Sequence, residues 1–488
     1  MANLQFDSLH SVHKQHIGTI QTAQTVRIST RNDISEVLSV GVESFVNSYE
    51  ATSGEVSFYG KTALRLVYTD GVGTIGSTYN ADFTANMASD CIDTSTKMIF
   101  EVSVLDKNVE VDGNTANINL LLEISAWGYV CMDAPVLQVA DDMFVLSSER
   151  QICTKADVFM LPTVIDQQLT ASQSIQTVLL AQSVLCPTSY SLDGNVLTVG
   201  GNAVVRLTYL SQNELVTDNL SFPFSTELEG EFETDSTLCV SAIVRNTKVR
   251  LDISEEQQNT TFTAEISCLV RVEACQTQQV RIVEDAYLSN MDFDFSKKSL
   301  STTLPVCSMV TSHKVEQSVT LPQQAKLLTV INCNATVTQT TFNDGNCTVK
   351  GLVGATLLVM TDAGIKGHGV ELPFVCTLQD DSFVSGCTGG CKADITDFTL
   401  DGNVASVTLG ISLYCHNTTS NTVIVSAEEI PFDKENLPAI EVFIANKGET
   451  LWSLAKSLHI STDELMETNP QITSPLEEDT RIVIYNKL

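Results

Sequence analysis

Few side chains in this 488-residue chain are placed to do chemistry, and the seven histidines and fourteen cysteines are the first to weigh. His10, His13 and His16, spaced three apart, would line one side of a helix and could hold zinc or nickel. No flanking cysteine or carboxylate completes that set, so a mobile polar N-terminus is the plainer reading. Cys387-Thr-Gly-Gly-Cys391 could bring two thiols together across a glycine turn, with Cys415-His416 not far behind. A turn with incidental thiols, a disulfide and a metal site are the open readings, although the gap is not the two residues of a zinc knuckle. Gly71-Val-Gly73-Thr-Ile-Gly76 fits a dinucleotide-binding pattern, but strand-like STYNADF follows it instead of a helix whose N-terminus could hold phosphate. A hairpin loop is expected there. Nucleophilic catalysis needs a serine or cysteine beside a paired histidine, and His313, His368 and His416 have no accompanying motif. The expectation is a protein with no catalytic residue, no bound metal and no cofactor.

Composition narrows the partners. With 27 basic and 59 acidic residues, the formal charge of -32 opposes approach to a phosphate backbone or an anionic bilayer. Nucleic acid is excluded as a partner on that ground. The acidity serves either as a solubilising surface or as a complement to a basic protein. No stretch approaches the roughly 20 apolar residues that span a bilayer, and MANLQFDSLHSVHKQH lacks the basic-then-apolar order of a signal peptide. The chain is therefore expected to stay where it is made, with buried or free thiols. Oxidation after release from the cell is the alternative.

The elements that must position any site read as strands. Hydrophobic content is 43% with only 18% charged residues, and Ile118 to Tyr129, Phe262 to Val272 and Val407 to Tyr414 alternate with period two. VSFYGKTALRLVYT from Val56 lies over LTVGGNAVVRLTYL from Leu197, bringing Ala63/Ala203, Arg65/Arg206, Leu66/Leu207 and Tyr68/Tyr209 into step. A third copy runs from Cys347 to Thr361, with Gly351 over Gly201. A second landmark keeps the same offsets, since Phe83, Phe224 and Phe374 are 141 and then 150 residues apart. Ile34 with Leu38, Ile175 with Leu179 and, more loosely, Ala325 with Leu328 agree upstream. Turns at Asp112-Gly113-Asn114, Asp193-Gly194-Asn195, Asp344-Gly345-Asn346 and Asp401-Gly402-Asn403 separate the runs. The fold class is therefore mainly β, with three repeated antiparallel units, each a sandwich or an open barrel, at 1–155, 156–297 and 298–430. A proline-bearing acidic linker, 431–439, leads to a different module at 440–488.

In that module the order becomes β-α-α-β. Thr450 can cap a first helix whose Leu451, Leu454, Ala455 and Leu458 share one face, and Ser461-Thr-Asp-Glu464 opens a second that Asn469-Pro470 ends. KGETLWSLAKSLHISTDELMETNPQI closely resembles the LysM signature over its whole length. The resemblance implies a groove for N-acetylglucosamine-containing glycan, with Gly448, Glu449, Thr450 and Leu451 on one side and Asn469, Pro470, Gln471 and Ile472 on the other. Glu449 stands where an aspartate is usual, and Glu478-Asp479 where Pro-Gly is usual. The module also carries 8 acidic against 4 basic residues. These departures move the expectation from sugar toward protein docking.

The body has a resemblance of its own. Asn32-Asp33-Ile34 followed by Val-rich strands, the glycine-bearing strand from Gly60 to Tyr68, and the later Phe83 look like the SPOCS domain of sporulation proteins. Three such units before one LysM is similar to the layout of SipL-type spore-morphogenesis proteins. That resemblance implies a mother-cell scaffold at the forespore surface whose tail docks on the coat basement layer, built by a sporulation ATPase. The alternatives are a peptidoglycan-binding wall or cortex protein, and a self-associating spore-surface subunit.

Overall fold

The computed structural model describes residues 4–139, 142–233, 235–251, 260–322, 325–432, 438 and 440–485. Alternation dominates it, as in Ala116, Ile118, Leu120, Leu122, Ile124 and Ala126, which are buried while the residues between them are not. The first six strands are β1 (Phe6–Ser29), β2 (Glu36–Thr52), β3 (Glu55–Thr69), β4 (Thr74–Ala88), β5 (Lys97–Asp112) and β6 (Thr115–Leu137). They make two antiparallel sheets, ordered β1-β6-β5 and β2-β3-β4. The second six are β7 (Phe144–Thr170), β8 (Thr177–Asp193), β9 (Val196–Ser211), β10 (Glu214–Glu229), β11 (Thr237–Leu251) and β12 (Thr261–Tyr287). The third six are β13 (Met291–Ser318), β14 (Lys326–Asn343), β15 (Asn346–Thr361), β16 (Gly364–Gln379), β17 (Cys387–Asp401) and β18 (Val404–Pro431). Both repeat the first order, as β7-β12-β11 with β8-β9-β10 and as β13-β18-β17 with β14-β15-β16.

Within a set the two sheets share one core; Leu64 and Leu66 of β3 belong to the same cluster as Ile118 and Leu122 of β6. Among the described residues no sheet closes on itself, because three strands are far fewer than the roughly eight a barrel needs. Of the two architectures expected from sequence, the sandwich describes these sets and the barrel does not. The divisions expected after residues 155 and 297 fall inside β7 and β13, where Lys155 pairs with Gln276 and Lys297 with Ile424. One set gives way to the next between Leu137 and Phe144 and between Tyr287 and Met291. Most of the 431–439 linker lies outside the described residues.

The paired landmarks of the repeat have one cause. Gly60 faces Phe83, Gly201 faces Phe224 and Gly351 faces Phe374 across the third and fourth strands of each set. A Cβ at Gly60 would lie 2.1 Å from the Phe83 ring, and one at Gly351 2.5 Å from that of Phe374. In the first and third sets the aromatic ring thus lies in the place of a side chain.

The three sets close into a ring with approximate threefold symmetry, since β4 packs on β8, β10 on β14 and β16 on β2. Equivalent positions make each seam. Gly76 and Gly367 let backbones approach so closely that an added Cβ would meet the carbonyl oxygens of Leu179 and Leu38 at 1.8 and 1.7 Å. In the remaining seam Thr329 donates to Thr217 at 2.6 Å. Gly76 therefore belongs to β4 and a seam, whereas Gly71, at positive φ, makes the expected hairpin turn.

On the axis, Leu38, Val67, Leu180, Ile331 and Leu358 from all three sets form an apolar cluster. Farther along, the Glu273 carboxylate of β12, 3% exposed, accepts from Lys14 Nζ of β1 at 2.7 Å and Tyr129 Oη of β6 at 2.9 Å. His416 Nε2 of β18 stands 3.7 Å from it. Burial alone would push this carboxyl up, but Lys14, Arg271 and His416 outweigh it and hold it at about 2. Burial and the neighbouring Lys14 lower His416 to about 4, so its imidazole is neutral. One carboxylate thus ties strands of all three sets together.

Candidate functional site

The C-terminal module is built from β19 (Ile440–Ala445), α1 (Leu451–Leu458), α2 (Thr462–Thr468) and β20 (Thr480–Tyr485), with β19 and β20 paired antiparallel. Thr450 caps α1 by accepting from Ser453 N, and Ser461 caps α2 by accepting from Glu464 N at 3.0 Å. Leu454, Ala455, Leu465, Ile482 and Ile484 fill the core. Among the described residues no helix is long and apolar enough to cross a membrane.

The eight residues that the LysM resemblance names for a groove fall in or beside two neighbouring loops, 446–450 and 469–479. The loops are held together by four hydrogen bonds, Lys447 N to Asp479 Oδ1 (2.9 Å), Gly448 N to Leu476 O (2.9 Å), Leu476 N to Glu449 O (2.9 Å) and Leu451 N to Ser474 Oγ (3.0 Å). Gly448 sits at φ 92°, which leaves its turn little tolerance for a side chain. The eight named residues divide by role. The Glu449 carboxylate folds back onto Asn446 N (3.1 Å), Thr450 is spent on its cap, and Gln471 Nε2 donates to Arg481 O (3.3 Å). Asn469 is buried and pairs with β20 as a strand would, accepting from Val483 N (2.8 Å) and donating to Val483 O (2.7 Å). Gly448, Pro470 and Gln471 remain exposed, with Leu451 and Ile472 half-buried. The arrangement offers backbone groups and apolar edges more than side-chain acids or amides.

The flank of α1 that carries Trp452 and Lys456 is seated on the body, a feature no sequence spacing announced. Trp452 Nε1 donates to Asp285 Oδ2 at 2.9 Å, and Lys456 Nζ bridges Asp285 (2.7 Å) and Asp292 (3.3 Å). Burial lowers the Lys456 pKa, but hydrogen bonding to Asp285 and the two aspartate charges outweigh it and raise the group above the ordinary lysine range. Tyr287 packs its ring 5.1 Å from Trp452 and donates from Oη to Ile460 O at 2.6 Å. His459, in the left-handed region at the end of α1, donates from Nδ1 to Leu288 O (2.9 Å) and stacks on Phe432 at 3.7 Å. The module is thus held in one orientation, with the groove residues outside the seat.

The other singled-out residues are dispersed. Cys387 and Cys391 are free thiols four residues apart in a straight run of β17, about 13 Å along a strand, so neither the glycine turn nor their disulfide forms. His10, His13 and His16 lie on β1 rather than on a helix or a mobile tail. His10 instead meets Cys131 and Asp133, one ligand atom each within 4.8 Å and all exposed. Of the remaining histidines, His416 is buried against Glu273, while His313 and His368 are half-buried.

Neither a curated protein nor a solved structure matches this chain. Residues 445–484 match the LysM domain family, so the β-α-α-β unit that closes the chain is a LysM domain.

Proposed function

We propose that this protein is a non-catalytic β-scaffold that holds an N-acetylglucosamine-containing glycan, as found in peptidoglycan, in the groove of its LysM domain. The observation that carries this reading is the fixed seat. Asp285, Asp292 and Tyr287 clamp α1, while Gly448, Pro470 and Gln471 take no part in the clamp and stay exposed. A glycan chain presents hydroxyls and N-acetyl groups without charge, which suits a groove of backbone groups and apolar edges better than a cationic ligand would. The long ring of sheets then serves as the rigid body that carries the module.

A second reading, docking of the LysM domain onto a protein of a spore-coat basement layer, draws on a different face. Ile440, Val442 and Ile444 of β19 and Tyr485 of β20 are exposed together, an apolar surface beside a free strand edge. Sedimentation of the full chain with insoluble peptidoglycan separates the two. Retention that soluble chito-oligosaccharides compete away, and that Gln471→Trp abolishes while Val442→Lys leaves it intact, supports the glycan reading. Absence of retention, or retention lost only in Val442→Lys, favours the second.

A further inference from the structure

Between the apolar cluster and Glu273, the ring lines a half-open cavity of about 630 Å³. Its walls come mainly from the second and fifth strands of every set, β2 with β5, β8 with β11 and β14 with β17, joined by residues of β7, β12 and β18. That volume lies within the range of roughly 300–1,000 Å³ typical of small-molecule sites. Glu43 and Lys392 lie deep in the body, yet 35% and 37% of their side-chain surfaces are accessible, and both line the void.

The threefold repeat is not kept in the chemistry of the walls. Equivalent cross-strand pairs on the fifth and sixth strands are Glu101 with Ser125, Ser241 with Arg271 and Lys392 with Ser412. An acid, a hydroxyl and an ammonium thus occupy one ring position. Most of the charges are spoken for. Glu43 takes Arg65 at 2.8 Å, Arg271 Nε donates to Ser241 at 3.1 Å, and Asp394 takes Lys392 at 2.8 Å. Lys392 also donates to Ala242 O at 3.2 Å, which leaves one of its three donors unused among the described residues. Of the five charged residues lining the void, Glu101 alone has a side chain with neither a hydrogen bond nor an ion pair among the described residues. Its carboxylate leans over Gly390, where an added Cβ would stand 3.2 Å from Oε1. Gly390 and Lys392 share a face of β17, about 7 Å apart, so the free carboxylate and the spare ammonium donor address one space.

We infer that this cavity binds a zwitterion of the short-peptide class. The free α-amino group meets Glu101, the terminal carboxylate meets the spare donor of Lys392, and small side chains lie against Val158, Met160 and Val337. Opposite charges at the two ends of one ligand satisfy both unspent groups without leaving a charge buried alone.

Calorimetric titration of the full chain with trialanine, N-acetyl-trialanine and trialanine amide tests this. The free tripeptide should bind, and either cap should weaken binding at least tenfold. Glu101→Gln should lower trialanine affinity to that of the N-acetylated form. Ser103→Trp, which fills the void from β5, should abolish binding, with circular dichroism establishing that both variants keep their strands. Equal binding of free and capped peptides, no heat with any of them, or unchanged binding by Glu101→Gln overturns the inference.

Discussion

Replacing Glu273 by glutamine asks whether the three strand sets fold as one unit. The change keeps the shape of the side chain but leaves Lys14 and Arg271 facing a neutral group in the interior. The native carboxyl is held at about 2 against an ordinary 4.5, a difference worth about 3 kcal/mol. Breaking a buried ion pair on one side costs roughly 3–5 kcal/mol, so the two routes agree. Unfolding entropy of about 2.1 cal/mol/K per residue gives about 0.9 kcal/mol/K for the roughly 430 residues of β1 to β18. A ring that melts as one unit should therefore lose about 3–4 °C. A second set melting by itself, at roughly 140 residues, would lose about 10 °C. The pH dependence has a definite sign. A carboxyl whose folded pKa is depressed contributes stability above pH 4.5 that is lost as pH falls toward 2. His416, lowered to about 4, destabilises the fold as pH falls from 6.5 toward 4, because the unfolded chain takes up its proton first. Differential scanning calorimetry at pH 7 and pH 3 should show the variant closer to the wild type at the lower pH. A variant that melts within about 1 °C of the wild type at pH 7 refutes the reasoning.

Three further outcomes can be checked. Lys456→Met leaves Asp285 and Asp292 without their shared cation, so in a Trp127→Phe background the Trp452 emission should shift to the red as the seat loosens; unchanged emission would speak against the clamp. Gly367→Val drives a side chain into the Leu38 carbonyl and should cost more than about 3 kcal/mol by thermal melting, whereas Gly369→Ala, with nothing within 4 Å, should be nearly neutral. In native protein the exposed Cys91 and Cys131 should react with a maleimide, and at least 13 of the 14 cysteines should react after denaturation without reductant; a lower denatured count would reveal disulfides.

Much of the fold was legible because its signals are local. The hairpin turns at Gly113, Gly194, Gly345 and Gly402 all adopt the positive φ that their sequences announce. Gly60 with Phe83 and its two counterparts recur together because each pair is cross-strand, so selection on one position acts on its partner. Set boundaries were hidden because the far half of β7 buries Ile152 and Cys153 against other sets rather than its own core. Period-two alternation reports that a face is buried, not what covers it. Spacing by three suggested a helix for His10, His13 and His16, yet in a 24-residue strand the same spacing only alternates faces. The Glu273 cluster and the Asp285 seat join residues hundreds of positions apart, and no local pattern could show them. The LysM likeness named residues of two loops that the fold joins by hydrogen bonds, but it could not tell that Asn469 and Glu449 are spent on holding those loops.

Hydrogen–deuterium exchange of the full chain with and without tetra-N-acetylchitotetraose tests the proposed function most directly. Exchange should slow in peptides covering 448–451 and 469–476, with the seated stretch 456–460 unchanged because the body already protects it. No change on adding the tetrasaccharide, or protection confined to β19, would contradict the proposed function.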